Sequence, residues 1–499
     1  MLLSKSKLMA FRQCAKRLWL EVHQPALRED SAQTKASFAA GNELGEVARQ
    51  LYDLKGKGQT IDLFKAGREA ALLRTQQLLQ TSAPVFEAGF AAAGALAYAD
   101  VLLPARKAGA KVWRIVEVKS SASVKDNHLD DVALQALIAR EAGLPLASIS
   151  LAHIDSNWVY PGGRNYRGLL IENDLSEQAF ARSGEVRHWI DAAQSIVKKK
   201  SAPKILTGAH CSEPYACGFY DHCSAQEPRA QHPVSFLPRL QAKAIKSLLE
   251  DRTVNDMRHV PDALLNEIQM RVKTHTLKGN TFFDSVGAAA DLATHKLPAL
   301  FIDFETIQFA VPIWKGTRPF QQIPFQFSAH RLSRTGQLTH TDFLSLSGQD
   351  PSKEFAEALA AASGGNGPIF VYNAAFETTR ISELAKRFTR LRPALLAIKD
   401  RVVDLYPIAQ KRYYHPSQQG SWSIKKVLPA IAPGLSYDQL GGVQHGGMAM
   451  DAFREAISPT TTPARKALIA NELLAYCKLD TYAMVRLWQF LAGRQDMHL

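Results

Sequence analysis

Three cysteines fall in one short run, C-S-E-P-Y-A-C-G-F-Y-D-H-C, at Cys211, Cys217 and Cys223. Their C-x5-C-x5-C spacing, with aromatics between, is unusual for core filler and suggests thiolate ligands. Three thiolates need a fourth donor, and Cys14 in FRQCAKRLW is the natural candidate. A shared site would oblige the fold to bring residues 211–223 back to the first helix. Zinc takes four cysteines, usually at C-x2–4-C spacing, whereas an iron–sulfur cluster tolerates looser spacing. Cys477 stands apart and reads as a small core residue on a helix.

The other cysteines being so few, a secreted disulfide framework is excluded. The 499 residues allow roughly three domains at ~150 residues each, and 46% hydrophobic with 21% charged residues excludes a disordered chain. The net charge of +13 points to a polyanionic partner, with nucleic acid the first candidate. The longest apolar-looking stretch, residues 90–105, contains Asp100 and falls short of the ~20 residues of a membrane span. The basic N-terminus lacks a continuous apolar region and a cleavage site, so the expected location is cytoplasmic, without a membrane partner. Nothing in the sequence fixes an oligomeric state.

Residues 5–80 show helical spacing, as at Leu8, Phe11, Leu18 and Trp19. Short β-rich runs follow (VFEAGF, ALAYADVLL, KVWRIVEVK), then a helix ending at Gly143, two β-like runs (ASISLAHI, NWVY) and a helix near 176–200. Between 226 and 295, Pro228, Pro233, Pro238 and Pro261 interrupt short helices such as AKAIKSLLE and ALLNEIQMRVKT, which reads as a helical bridge. From 296 to 499, strand-like runs (ALFIDFETI, FQFSAHRL, PIFVYN) alternate with helical ones. The expected fold class is α/β, with domains at 1–225 and 296–499.

In RIVEVK, Glu117 and Lys119 share one face of a strand, and Asp100 lies on the strand before it. Two carboxylates can hold Mg²⁺ or Mn²⁺, and a lysine beside them can orient water or stabilise developing charge. This order resembles the PD-(D/E)XK nuclease core, and the next helix with Gln135 resembles the Gln-bearing helix of RecB-like and CRISPR-associated nucleases. The resemblance implies a restriction-endonuclease-like fold, catalytic roles for Lys119 and Gln135, and metal ligation by Asp100 and Glu117. Those families often place a Tyr four residues after the Gln, where this chain has Ala139. They commonly carry a His on an early helix; here GNELGEVAR offers Gly45, with Glu46 as an extra metal ligand. One distant N-terminal cysteine plus three near the domain's end is similar to their iron–sulfur staple. On that resemblance Cys14, Cys211, Cys217 and Cys223 would bind a structural 4Fe–4S cluster, with zinc the alternative.

In the C-terminal half, ALFIDFET places Asp303 and Glu305 at i and i+2 of a strand, on one face. Asn373 and Glu377 lie four apart where a strand turns into a helix, and Tyr476 and Asp480 share a helix face. Carboxylates from three elements could hold two divalent ions ~3.5–4 Å apart, with Tyr476 bonding the attacking water. The order resembles DEDD exonucleases of the RNase H-like, DnaQ-like group. Y-C-K-L-D is close to the third motif of B-family polymerase exonucleases, which implies the Tyr (DEDDy) type. Motif two departs: the family carries Asp where this chain has Glu377, and Asp404 in RVVDLYPIA is the substitute to weigh.

The whole order resembles a bacterial family that joins an N-terminal RecB-like nuclease to a DEDDy exonuclease with an RNase H-like mixed sheet. It implies a nuclease with two metal-dependent sites, acting on DNA more readily than RNA, in repair or phage defence. The competing expectation is a catalytically weak nucleic-acid-binding scaffold, favoured by Glu377 and by the missing His at Gly45.

Overall fold

The computed structural model describes residues 1–228, 230–240 and 254–494. The chain divides into two compact units, Met1–Glu227 with Phe309–Gln321, and Pro228–Gln308 with Gln322–Leu499. The first boundary lies beside the expected one at 225. The expected bridge is not a unit of its own: its described part belongs to the second unit, as short turns and the helices Glu267–Lys278 and Ser285–Leu292. Its expected helix at AKAIKSLLE lies outside the described residues. Residues 309–321 were expected in the C-terminal domain, yet they group with the first unit.

The first unit is built on a sheet of β1 (Leu3–Ser4), β2 (Gln59–Thr60), β3 (Val85–Ala92), β4 (Ala95–Lys107), β5 (Ala110–Lys119), β6 (Leu146–Ile154) and β7 (Leu170–Asp174). Its order is β2-β3-β4-β5-β6-β7, with β1 added parallel to β4. β3, β4 and β5 run antiparallel, whereas β5 and β6 are parallel. A parallel pair needs a crossover, and the helix Asp126–Glu141 supplies it. That helix is buried almost along its length because it lies under the sheet it connects. The NWVY run is not a strand. Trp158 and Tyr160 instead join Tyr166 in an aromatic cluster, with the Tyr160 and Tyr166 rings stacked at 5.0 Å, and the Tyr160 N–H donates to Thr317 O.

The segment 309–321 docks through Ala310 and Val311, buried with Leu44, Val47, Ile154 and Leu169. Each fully buried Val, Leu or Ile contributes roughly 1.5–3 kcal/mol, so this small cluster is part of what holds the excursion.

The second unit carries a sheet of β9 (Ala299–Ile307), β10 (Ile323–Leu332), β11 (Leu338–Leu344), β12 (Ile369–Val371) and β13 (Val402–Asp404), after a two-residue strand, β8 (Phe282–Phe283), that pairs with β14 (Tyr413–Tyr414). The order is β11-β10-β9-β12-β13; β9, β10 and β11 are antiparallel, and β12 and β13 are parallel to β9 and to each other in turn. The central strands read as continuous apolar runs because helices cover them: Ser352–Ala362 and Ala374–Arg387 join one core, and the long helix Pro463–Leu491 the other. The β9–β10 register shifts between Pro324 and Gln326, opposite Thr306 and Glu305. Pro324 has no N–H to give to a ladder, so a bulge is its natural place, and bulges re-aim neighbouring side chains.

Candidate functional site

β9 alternates between core and site. Phe304 is packed in the core, while Asp303 and Glu305 on the other face line a cavity of ≈250 Å³. Glu377, in the first turn of the helix Ala374–Arg387, and Tyr476 and Asp480, one helical turn apart, line it too. Among the described residues, Asp303, Glu305 and Asp480 form the single group of three potential metal ligands whose donor atoms all lie within 4.8 Å of one another. Asn373 precedes Glu377 with φ 85°, a left-handed conformation that side chains other than glycine rarely take. It sits on the cavity wall, where such strain concentrates.

Burial beside like charges drives these acids toward protonation. Burial, then Asp480, Glu377 and Glu305, push Asp303 well above the usual carboxylate range. Burial and Asp480 raise Glu305 to about 8. Burial and Asp404 raise Glu377 to about 8. Burial lifts Asp480 to about 6, opposed by hydrogen bonds from Tyr437 and Tyr476 and by Lys425. The Tyr437 hydroxyl donates to Asp480 Oδ1 at 2.6 Å. Glu377 Oε2 is buried without a hydrogen-bond partner. A close acidic triplet and an orphaned carboxylate oxygen form a donor set that fits hard divalent cations such as Mg²⁺ or Mn²⁺.

These raised values fix a pH response. A carboxylate that binds its proton more tightly when folded adds stability at low pH and loses it as pH rises through its folded-state value. Without divalent ions, the second unit should therefore lose thermal stability between about pH 5 and pH 8. Added Mn²⁺ should restore it, with the larger gain at the alkaline end, because ligation there no longer displaces protons. Melting curves at four pH values, with chelator and with Mn²⁺, measure this; a flat chelator series would exclude it.

Lys425 and Tyr437 were not anticipated. Lys425 Nζ donates to Gln444 O at 2.7 Å and to the Tyr476 hydroxyl at 3.1 Å, between the rings of Tyr437 and Tyr476. Its pKa is lowered, burial outweighing the attraction of Asp480, Glu305 and Asp303. Neither residue belongs to a recognisable spacing with the acids, so only the fold brings them there. Asp404, the expected substitute for Glu377, does not line the cavity; its oxygens accept from the backbone N–H groups of Asn373, Ala374 and Tyr406 at 2.9–3.0 Å, so it secures two chain turns. Cys477 is fully buried on its helix, as expected.

In the first unit, Lys119 Nζ lies 2.6 Å from Glu117 Oε1, confirming the shared strand face. Asp100 Oδ2 accepts the Val118 N–H at 2.7 Å, which ties the two strands where the β4–β5 ladder ends. Gln135 Nε2 donates to Glu117 Oε2, and Gln135 Oε1 is buried without a partner. Burial and the charge of Glu117 raise Asp100 well above the ordinary carboxylate range. Two acids and an orphaned amide oxygen fit a divalent ion here as well. Ala139 is fully buried where the related families carry Tyr.

Three further groups complete this site. Asp131, one turn before Gln135, pairs with Lys119, and Lys5 Nζ lies 2.7 Å from Glu117 Oε1 and 3.1 Å from Asp131 Oδ1. Burial disfavours the Lys119 ammonium, but Asp131, Glu117 and Asp100 outweigh it and hold its pKa well above normal. Burial likewise opposes the Asp131 carboxylate, and Lys119 and Lys5 hold its pKa low. Glu87 faces the site with φ 60° inside β3 and is raised by burial, with Glu117 adding to the shift. The i, i+4 relation of Asp131 to Gln135 was legible; Lys5 and Glu87 carried no signal. Glu46 stands outside the cluster: its side chain is 71% exposed and pairs with Arg49 at 2.9 Å. Arg49 also reaches Glu87 at 3.6 Å, so Glu87 is the carboxylate this corner presents.

The four cysteines do converge. Cys14 interrupts two helices, Lys5–Gln13 and Ala15–His23, and lines one cavity with Cys211, Cys217 and Cys223. Gln13 Nε2 donates to His210 O and Tyr215 O, both at 2.7 Å, and fastens the two segments. Burial pushes the thiols of Cys211, Cys217 and Cys223 up, and Lys16 and Arg17 offset this at Cys223 and Cys217. Four convergent sulfurs beside cations suit an anionic thiolate–metal centre. No three of these sulfurs all lie within 4.8 Å of one another. Zn–S bonds of ~2.3 Å in a tetrahedron would draw them to about 3.8 Å, so the observed set is wider than a single zinc needs.

No helix among the described residues is long and apolar enough to cross a membrane. Residues 300–423 match the family model described as "Domain of unknown function (DUF2779)", a stretch holding Asp303, Glu305 and Glu377 but ending before Lys425, Tyr476 and Asp480. The chain is similar to the "Uncharacterized protein MG366 homolog" of Mycoplasma pneumoniae, at 27% identity over 213 residues, 38% of this chain and 32% of that protein. It is also similar to "Uncharacterized protein MG366" of Mycoplasma genitalium, at 24% identity over 218 residues, 39% of this chain and 32% of that protein. The chain thus matches about a third of the length of these curated relatives.

Proposed function

We propose that this chain is a metal-dependent nuclease with two separate sites, one in each unit, that hydrolyse phosphodiesters of nucleic acid, DNA in preference to RNA. The observation that carries the reading is the Asp303–Glu305–Asp480 triplet, within 4.8 Å and joined on its cavity wall by Glu377 and Tyr476. Carboxylates carried by a mixed sheet, antiparallel through β9–β11 and parallel through β9, β12 and β13, support the RNase H-like reading.

Divalent ions bound there supply positive charge that lowers the pKa of water and stabilises the leaving oxygen. The chain's own residues do the rest. Asp303, Glu305, Asp480 and Glu377 hold the ions. Tyr437 fixes one oxygen of Asp480, leaving the other to turn inward. Lys425 donates to the Tyr476 oxygen and holds that hydroxyl beside Asp480, where it can bond the attacking water. In the first unit, Asp100 and Glu117 hold a divalent ion, Gln135 orients Glu117, and Lys119 offers positive charge to the phosphate. The basic surplus holds the phosphate backbone without reading sequence. The family resemblance supports a structural 4Fe–4S cluster on the four cysteines, which line one cavity, with zinc the alternative. A role in DNA repair or phage defence follows from the family resemblance.

One observation favours the rival reading of a weak binding scaffold. Glu377 is a methylene longer than the Asp of the resembling family, and burial and Asp404 push its carboxyl up to about 8, which opposes the charged form a metal ligand needs. A cleavage assay with Mn²⁺ decides. Lys119→Ala should abolish one activity and spare the other, and Asp303→Ala should do the reverse, since the two sites share no ligand. Loss of all cleavage from either change, in folded protein, would refute two sites; no cleavage by the wild type would favour the scaffold.

A further inference from the structure

The first site contains more positive charge than a lysine-assisted carboxylate pair requires. Glu117 Oε1 accepts from two ammonium groups, Lys5 at 2.7 Å and Lys119 at 2.6 Å, and Gln135 occupies Oε2. Glu117 Oε1 already accepts from two ammonium groups, so a cation can take that oxygen only by displacing one of them. Lys119 cannot withdraw, being two residues along the same strand and held by Asp131. Lys5 can. It is the first residue of the helix Lys5–Gln13 and follows a two-residue strand, so its stem is anchored at the start of an element and not inside the sheet. Its next acceptor is already in place: Asp131 Oδ1 lies 3.1 Å from Lys5 Nζ and is buried without an aligned hydrogen bond.

We infer that Lys5 is the resident counter-cation of this site, competing with a divalent metal ion for Glu117 and swinging fully onto Asp131 when the metal is bound. The electrostatics agree in sign. Lys5 sets a positive charge against Glu117 and Asp131, with Asp100 also within its field. Removing it takes away a like charge beside the ion, so the site should hold a metal more tightly. The inference rests on the proposed nuclease reading, because it presumes that Asp100 and Glu117 take up a divalent ion.

The test uses the full chain in an Asp303→Ala background, which disables the second site, and titrates Mn²⁺ by calorimetry. Lys5→Met should tighten Mn²⁺ binding by about fivefold or more, the scale expected for removing one like charge a few ångströms away. Lys5→Arg should bind as the parent does. A residue that merely propped the fold would do the opposite, weakening uptake when truncated. Should Lys5→Met not fold, acylation of the unmutated parent decides: Mn²⁺ should speed modification of Lys5 by an amine-reactive ester several-fold, read by peptide mass spectrometry. Mn²⁺ binding that is unchanged or weaker in Lys5→Met, or Lys5 acylation unmoved by Mn²⁺, overturns the role of Lys5 and leaves the nuclease reading standing. No Mn²⁺ uptake in the parent overturns both.

Discussion

Asp480→Asn should abolish the release of nucleotides from 3′ ends that the DEDDy resemblance implies and collapse Mn²⁺ binding with it, with a rate loss of roughly a thousandfold or more. Asp480 is the acid on which the triplet, Tyr437 and Tyr476 all converge, so replacing its charge removes a ligand and leaves buried donors aimed at a neutral amide. Tyr476→Phe should fail differently. It keeps the ring that faces Lys425 and loses one hydroxyl, which costs about 10- to 1000-fold in rate with Mn²⁺ affinity nearly unchanged. Glu377→Gln should behave like Asp480→Asn. Asp404→Asn should not, since its carboxylate is spent on three backbone N–H groups and its loss acts through the turn it holds. The measurement compares 3′-labelled with 5′-labelled single strands in a Lys119→Ala background. Full activity in Tyr476→Phe, or release from 5′ ends alone, would reject the DEDDy assignment.

Cys217→Ala should bleach a brown, anaerobically purified protein that otherwise carries about four irons per chain. The same change should destabilise the first unit far more than the second. Cys14 and the 211–223 run lie at opposite ends of that unit's sequence, so a shared centre cross-links its beginning to its end. Loss of a metal centre that closes so long a loop withdraws binding energy which is also folding energy. Iron analysis and separate melting of the two units provide the readout. A colourless protein with one zinc would remove the iron–sulfur proposal and keep the four-cysteine site.

The sequence made legible whatever follows a short period or a strong local signal. Asp303 with Glu305, Glu117 with Lys119, and Tyr476 with Asp480 each share a face because strand and helix periods are fixed geometry. Gathering Cys14 with the other three needed only the arithmetic of ligand number. Long-range placement was not legible. Lys5 reaches Glu117 only because Leu3 and Ser4 pair with β4, and nothing in a basic N-terminus announces that. Glu46 and Asp404 failed for a related reason. Each is an acid beside a plausible motif, and its neighbours, Arg49 for one and three amide groups for the other, claimed it first. NWVY had strand composition, yet its aromatic rings found one another instead of a sheet.

The excursion at 309–321 bears on heredity as well as on folding. The chain enters the first unit, leaves it at Glu227, returns for these residues directly after the strand that bears Asp303 and Glu305, and leaves again. A gene break between the units would strand Ala310 and Val311 with the wrong half and bare Leu44, Val47, Ile154 and Leu169 to water. A cut at Glu227 alone therefore does not separate the two units, because the first is completed by residues that come after β9.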